Sequence, residues 1–313
     1  MKTPIIWLIG PIGLDMILQV EEYPKENTGG YCQEIQIGIG WDAAIIAQSL
    51  DIQHKFLFGN HIGFSEDAQK ARSKLKNLCD QFIEVGDEPS SPMLNFIISS
   101  KMGTRTWVSN VQPPASNDLI PVMKTILPTA APGIIYSDHW ETAENIHDLW
   151  HFLGETQAAL VFYNWGDYGC FSEIKSLLDV FKLIVVQISL KNIDDLQQLK
   201  EIPLLSTQFL LITRNQDSVL LLGSNLIEEF PVIPIHRIDT TGAGGIFSGS
   251  VISNLLPYVG DWSLHISQIL PLAISNTHKI LEEGHSRLYP PYKLKETRFP
   301  VEGIVMSEKK NGL

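Results

Sequence analysis

The chain has 313 residues, of which 44% are hydrophobic and 19% are charged. This apolar fraction can fill a sizeable core, so the composition excludes a chain that is disordered throughout. Lys and Arg number 23 against 35 Asp and Glu, which gives a net charge of −12. Nucleic acids and anionic membranes are bound by clustered cations, so neither is an expected partner, although a small anion in a locally positive pocket stays open.

The cysteine pattern favours a reducing cytoplasm. Cys32, Cys79 and Cys170 are widely spaced and form no CxxC pair, so neither a disulfide framework nor a zinc ribbon is predicted. The apolar N-terminus is interrupted by Gly10 and Pro11 and makes a poor signal peptide. No apolar run approaches the ~20 residues of a membrane-spanning helix, so no membrane association is expected.

Short apolar strands alternate with helical segments along the chain. Strands are predicted at residues 5–9, 55–58, 94–99, 104–108, 133–136, 158–163, 183–188, 210–213 and 219–222, and helices at 41–50, 66–78, 143–153, 244–256 and 264–281. This alternation favours a mainly parallel sheet with helices on both faces. Residues 18–37 are strand-like without helical spacing. With the predicted hairpin at 94–108 they are expected to form a small sheet that covers a site as a lid.

The most specific stretch is DTTGAGGIF at residues 239–247, a glycine-rich turn that leads into a helix near Gly244. Free backbone N–H groups and the helix dipole favour an anion at such a helix start, and glycines let the anion approach closely. The alternative is a turn that serves packing alone. The glycine spacing does not match a dinucleotide-binding fingerprint.

This stretch resembles the C-terminal signature DTxGAGDxF of the ribokinase family, the PfkB-type carbohydrate kinases. Three further stretches resemble motifs of that family in the same order: GPIGLD at 10–15, GIGWDAA at 38–44 and GTRT at 103–106. Short words such as YPKE at 23–26 are most similar to ketohexokinase. The resemblance implies a three-layer α/β, Rossmann-like core with a small β-sheet lid.

The resemblance also implies domain limits, ligands and roles. One domain would span residues 1–300, with lid strands at about 14–37 and 92–110, before a polar tail at 301–313. The implied ligands are Mg-ATP as donor and a sugar or polyol as acceptor, and the lid would form a homodimer. The implied substrate-binding residues are Gly13, Asp15, Gly38, Gly40, Asp42 and Arg105. The implied anion hole is Gly242, Ala243, Gly244 and Gly245, and the implied nucleotide-binding residues are Thr213, Asn215, Ala273 and Gly284. No metal held by the protein is expected, because the helical pair His147 and His151 lacks further ligands.

Gly245 departs from the family where it matters most, because the family's catalytic base is the Asp at that position. General base catalysis contributes ~10²–10⁴-fold to a rate. Phosphoryl transfer also depends on positioning, so a slow kinase is conceivable, above all if Asp15 or Asp42 supplies a carboxylate. The sequence predicts an impaired kinase in which Gly245→Asp raises turnover at least about tenfold. The alternatives are a non-catalytic pseudokinase that binds a sugar or nucleotide as a sensor or scaffold, and a purely structural protein.

Further positions depart from the family motifs, and several of the singled-out residues have an alternative interpretation. The family's NxxE motif is replaced by QISL at 187–190, and its TxGxxG turn at 213–218 lacks both glycines. Asp42 stands where the family has Asn and could simply cap its helix. Arg105 could pair with phosphate or be a surface arginine, and Asp239 is expected to order its turn.

Overall fold

The computed structural model describes residues 4–52, 54–89, 91, 93–100, 105–140, 146–167, 171–190, 194–214, 217–235 and 242–283. The strands in this part of the chain are β1 (Ile6–Ile9), β2 (Gly13–Val20), β3 (Cys32–Gly40), β4 (Lys55–Asn60), β5 (Gln81–Val85), β6 (Leu94–Ser100), β7 (Arg105–Ser109), β8 (Ile134–Asp138), β9 (Leu160–Gly166), β10 (Ile184–Ser189), β11 (Gln208–Arg214), β12 (Ser218–Gly223) and β13 (Leu226–Pro231). The α-helices are α1 (Asp42–Ser49), α2 (Glu66–Leu78), α3 (Ser116–Ile126), α4 (Ile146–Glu155), α5 (Ser172–Val180), α6 (Asp194–Lys200), α7 (Ala243–Leu255) and α8 (Ile266–Glu283).

The strands form two sheets. The large sheet has the order β13-β12-β11-β10-β9-β8-β1-β4-β5, and it is parallel from β5 to β11 and antiparallel at β12 and β13. The small sheet has the order β3-β2-β6-β7, with β2 parallel to β6 and the two outer strands antiparallel. We call it the lid sheet. The mainly parallel sheet and the separate small sheet both agree with the sequence prediction.

Helices cover both faces of the large sheet, and β1 shows why. Ile6 and Leu8 point into one apolar core with α1, α2, α7 and α8, while Trp7 and Ile9 point into a second core with α3 to α6. A strand buried on both faces is a continuous apolar run rather than an alternating one. The second core also holds the buried Trp140, Trp150 and Trp165.

Several helices and strands of the structure were not predicted, because their sequences show only weak periodicity. The predicted α2 and the β6–β7 hairpin are present, whereas β5, β13, α3, α5 and α6 go beyond the prediction. Helix α3 contains Pro121 in its interior, and α6 has only seven residues. Short or proline-containing segments give little periodicity, so tertiary packing decides their structure. No helix among the described residues is long and apolar enough to cross a bilayer.

Candidate active site

A cavity of about 220 Å³ lies between the large sheet and the lid sheet, at the carboxyl ends of β8 and β9. Ligands of open α/β sheets bind at this edge, where the strands end and the helices begin. The cavity wall combines carboxylates, amides and two indole rings with one guanidinium group. The lining residues are Asp15, Trp41, Asp42, Ile45, Asn95, Ile97, Arg105, Trp107, Asp138, His139, Asn164, Gly166, Asp167 and Gly242.

A hydrogen-bonded cluster forms the floor of the cavity. The Asn164 side-chain amide donates to Asp42 Oδ2 at 2.7 Å, to Tyr136 Oη at 3.1 Å and to Asp138 Oδ1 at 3.2 Å. The Tyr136 hydroxyl also bonds the Asp138 carboxyl group, whose Oδ2 accepts the Ala43 amide at 3.2 Å. The ends of β8 and β9 are thereby tied to the first turn of α1, which fixes where the Asp42 carboxylate lies.

The two carboxyl groups of this cluster differ in protonation. Burial and, to a smaller extent, the neighbouring Asp42 charge raise the pKa of Asp138 to about 8. Burial also raises the pKa of Asp42, to about 6, where the Asn164 bond and the Arg105 charge oppose the rise. At neutral pH Asp138 therefore holds a proton while Asp42 is largely ionised. Environments that separate two pKa values in this way are typical of acid–base sites.

The lid sheet contributes a pair of groups that suits a hydroxyl ligand. Asn95 on β6 donates through Nδ2 to Asp15 Oδ1 on β2 at 2.9 Å, and both residues are more than nine-tenths buried. The Asn95 Oδ1 atom is buried and has no hydrogen-bond partner among the described residues. The indole Nε1 of Trp41 is likewise buried and has no hydrogen-bond partner among the described residues. Buried polar atoms are normally hydrogen-bonded, so these two point to a polar ligand.

Trp41 lies at the corner between β3 and α1 in a strained conformation. Its φ is 74°, in the left-handed region that non-glycine residues seldom adopt. Its ring stands edge-on to Trp107 of the lid sheet, with ring centroids 6.5 Å apart. Strain of this kind is retained where the surrounding structure uses it, and here it places an indole in the cavity wall.

The first turn of α7 closes the cavity opposite the lid sheet. Gly242 precedes the helix with φ 85°, which suits glycine alone. A Cβ added at Gly245 would lie 2.8 Å from Asp42 Oδ1, and the Gly245 amide donates to the Asp42 carboxylate. Gln187 of β10 is buried and holds this turn in place through the Gly244 carbonyl at 3.3 Å and the Ser248 hydroxyl at 2.8 Å.

The structure brings only some of the predicted site residues to the cavity. Asp15, Asp42, Arg105 and Gly242 line it, while Ala243, Gly244 and Gly245 form the adjoining helix turn. Gly38 pairs with Asp15 and Gly40 pairs with Gly13 in the lid sheet. Thr213 bonds the Ile188 carbonyl at the end of β11, and Ala273 is fully buried in α8. Neither lines the cavity, whereas Asn215, Asp239 and Gly284 lie outside the described residues.

Further site residues went unnoticed in the sequence. Asn95, Asp138, His139, Asn164 and Trp107 all line the cavity. Asp138 and Asn164 share a signal that could have found them, because each is a polar residue near the carboxyl end of a buried apolar strand. Asn95 has the weaker signal of one amide within a lid strand. Within the described parts of the chain, no three His, Cys, Asp or Glu side chains cluster as a metal site would.

Comparisons with known proteins define the class of fold. No protein-family model and no curated protein matches this sequence. Solved structures do match. A ribokinase from Giardia lamblia is 15% identical with a TM-score of 0.70, and the alignment covers 90% of this chain and 94% of the ribokinase.

An adenosine kinase from Schistosoma mansoni in complex with 2-fluoroadenosine is 14% identical with a TM-score of 0.67, and the alignment covers 88% of this chain and 95% of that kinase. An uncharacterised sugar kinase from Pyrococcus horikoshii in complex with ATP is 18% identical with a TM-score of 0.65, and the alignment covers 87% of this chain and 92% of that kinase.

The chain therefore has the ribokinase-like α/β fold, as its sequence motifs predicted. Its nine-stranded, mainly parallel sheet forms the body, and the lid sheet is the small separate sheet of that fold.

Proposed function

We propose that the protein transfers a phosphoryl group from ATP to a hydroxyl of a sugar or sugar-like compound. The observation that carries this proposal is the cavity itself. Its lining includes both the Asp15–Asn95 pair of the lid sheet, whose Asn95 Oδ1 has no partner among the described residues, and Gly242 at the start of α7. The first group suits a polyol hydroxyl and the second suits a phosphate. The structural neighbours named above are kinases, which supports the same reaction class.

In this proposal the acceptor hydroxyls bind Asp15 and Asn95, and the phosphates of ATP lie over the backbone amides of Ala243 and Gly244. Arg105 on the lid sheet adds a positive charge to the cavity. Mg²⁺ would enter with the nucleotide, bound to phosphate oxygens and water. Bound in this way, Mg²⁺ neutralises charge on the phosphates during transfer.

A second candidate function rests on Gly245. Glycine offers no carboxylate at the position where the family resemblance implies the base, and the Gly245 amide is already taken by Asp42. A pseudokinase that binds a sugar or nucleotide without turnover would keep the cavity and lose the chemistry. The predicted cytoplasmic location, which rests on the cysteine pattern, is compatible with both candidates.

Ligand-induced stabilisation separates these functions. We expect Mg-ATP and the correct acceptor each to raise the thermal midpoint, because ligand at ~100 Kd stabilises a fold by about 2.7 kcal/mol. The experiment is a thermal-shift screen against Mg-ATP, Mg-ADP, sugars and nucleosides, with ADP release measured on the same plates. Stabilisation with ADP release identifies a kinase, and stabilisation without it identifies the pseudokinase. No stabilisation by any ligand contradicts both.

We also propose that the protein is a homodimer formed through the lid sheet. The supporting observation is an apolar patch on the lid face that points away from the cavity. Phe96 is 43% exposed, and Val108, its register partner on β7, is 68% exposed. Light scattering is expected to give twice the chain mass of 35.0 kDa, and Val108→Lys should give one chain mass. Ile227→Lys, at an exposed site on β13, is the matched control; a wild-type monomer would contradict the proposal.

A further inference from the structure

Three acidic side chains line the cavity deeply enough to act on an acceptor hydroxyl, and their surroundings distinguish them. Asp138 has both oxygens engaged, by Tyr136 and Asn164 on one and by the Ala43 amide on the other. Asp15 lies over Gly40 in the lid sheet, where a Cβ would be 1.9 Å from its Oδ1. Asp42 alone lies against the first turn of α7, where phosphates are proposed to bind.

The position of Asp42 relative to Gly245 is unusually close. The hypothetical Cβ of residue 245 would be 2.8 Å from Asp42 Oδ1 and 3.2 Å from both the Cα and the Cβ of Asp42. The Asp42 carboxylate therefore occupies the space into which a side chain at position 245 would project. A Cβ at position 245 would force Asp42 to shift, so the glycine on α7 and the carboxylate on α1 belong to one arrangement.

We infer that the Asp42 carboxylate is the general base of the proposed phosphoryl transfer, held at the first turn of α7 by Asn164 and by the Gly245 amide. The inference rests on the proposed function. Asp42 accepts the proton of the acceptor hydroxyl while that oxygen forms a bond to the γ-phosphorus of ATP. The bond from the γ-phosphorus to the β,γ-bridging oxygen breaks, and ADP leaves with its electron pair. The protonated Asp42 then releases the proton to water.

The electrostatic surroundings of Asp42 agree with this role. Burial and the Asp15 charge raise the pKa of Asp42, whereas the Asn164 hydrogen bond and the Arg105 charge lower it. Burial and nearby carboxylates also raise the pKa of Tyr136. The resulting pKa of about 6 leaves the group ionised at neutral pH and makes it a stronger base than an exposed aspartate. His139, whose pKa is lowered to about 4 by burial, is a weaker base in the same wall.

The test compares Asp42→Asn with Asp15→Asn in acceptor-dependent ADP release. Both changes keep side-chain size and remove a charge. We expect Asp42→Asn to lower kcat by ~10²–10⁴-fold while the shift of the thermal midpoint by Mg-ADP is retained. Asp15→Asn should act mainly through the KM of the acceptor. The wild-type kcat/KM should rise with pH through about 6, and the residual activity of Asp42→Asn should lack that rise.

The outcomes separate this inference from the proposed function. Wild-type turnover that persists within threefold in Asp42→Asn, with the same pH profile, overturns the role of Asp42 and leaves the kinase function standing. Wild-type protein that binds ligands and releases no ADP with any acceptor overturns the kinase function, and the assigned base with it. A matching loss of kcat in Asp15→Asn and Asp42→Asn also overturns the assignment, because the effect would then not be specific to Asp42.

Discussion

Gly245→Asp is expected to lower phosphoryl transfer by about tenfold or more, the reverse of what the family motif alone predicts. The new Cβ would meet the Asp42 side chain at 2.8 Å, so one of the two must move. The new carboxylate would also lie beside an ionised one, and the repulsion between like charges would raise the pKa of one of the two groups. The substitution therefore displaces or neutralises the Asp42 carboxylate, and the new carboxylate at position 245 does not replace it as a base. The measurement is kcat in acceptor-dependent ADP release.

Three further variants separate the steric from the electrostatic contribution to the expected loss of kcat. Gly260→Ala is the control for an added methyl group, because Gly260 does not line the cavity and nothing lies within 4 Å of its Cβ position. Gly245→Ala adds the close Cβ without the charge. Asp42→Asn/Gly245→Asp moves the carboxylate from α1 to α7 and should recover more activity than the sum of the single changes allows. An increase in kcat from Gly245→Asp alone would contradict this account.

Asn95→Ala is expected to raise the KM of the acceptor by roughly tenfold to hundredfold with little change in kcat. The change removes the Nδ2 group that donates to Asp15 Oδ1 at 2.9 Å. It also removes Oδ1, which has no partner among the described residues and is proposed to accept an acceptor hydroxyl. A buried hydrogen bond to a charged group contributes roughly 1.5–3 kcal/mol, and each 1.4 kcal/mol is a factor of ten. An effect confined to KM indicates uniform binding of the ground and transition states.

The control for Asn95→Ala is Ser99→Ala. Ser99 lies on β6 four residues further along, is 2% exposed, and does not line the cavity. It should leave the KM within about twofold, because a buried change outside the site alters stability rather than binding. A kcat loss in Asn95→Ala at unchanged KM would show that Asn95 positions the reacting atoms instead of binding the acceptor.

The sequence already contained the fold class, because that depends on patterns within single segments. The continuous apolar run of β1 requires cover on both faces, and the glycine-rich entry to α7 requires a positive φ at Gly242. The lid sheet was also predictable, since residues 18–37 are strand-like without helical spacing. Such local patterns determine which elements form, and the ordered motifs determine which known fold they assemble into.

The sequence predicted only some of the residues that line the candidate site. Asp15, Asp42 and the glycine turn were predicted to lie near one another, but Asn95, Asp138 and Asn164 were not noticed, because each meets the cavity only through long-range packing. Thr213 and Ala273 do not line this cavity, and their contact with a nucleotide stays a prediction. Residue type and spacing along the chain do not reveal the distance between two segments that come into contact only in the folded state.

The sequence shows that Gly245 has no carboxylate, and that Asp42 has one where the motif that it resembles has an amide. That these two facts concern the same space follows from the folded structure alone. The first turns of α1 and α7 are some 200 residues apart in the chain, yet the carboxylate of one fills the volume beside the glycine of the other. The physical reason is that a close-packed interior admits a single side chain at that point, and which helix supplies it is decided by packing.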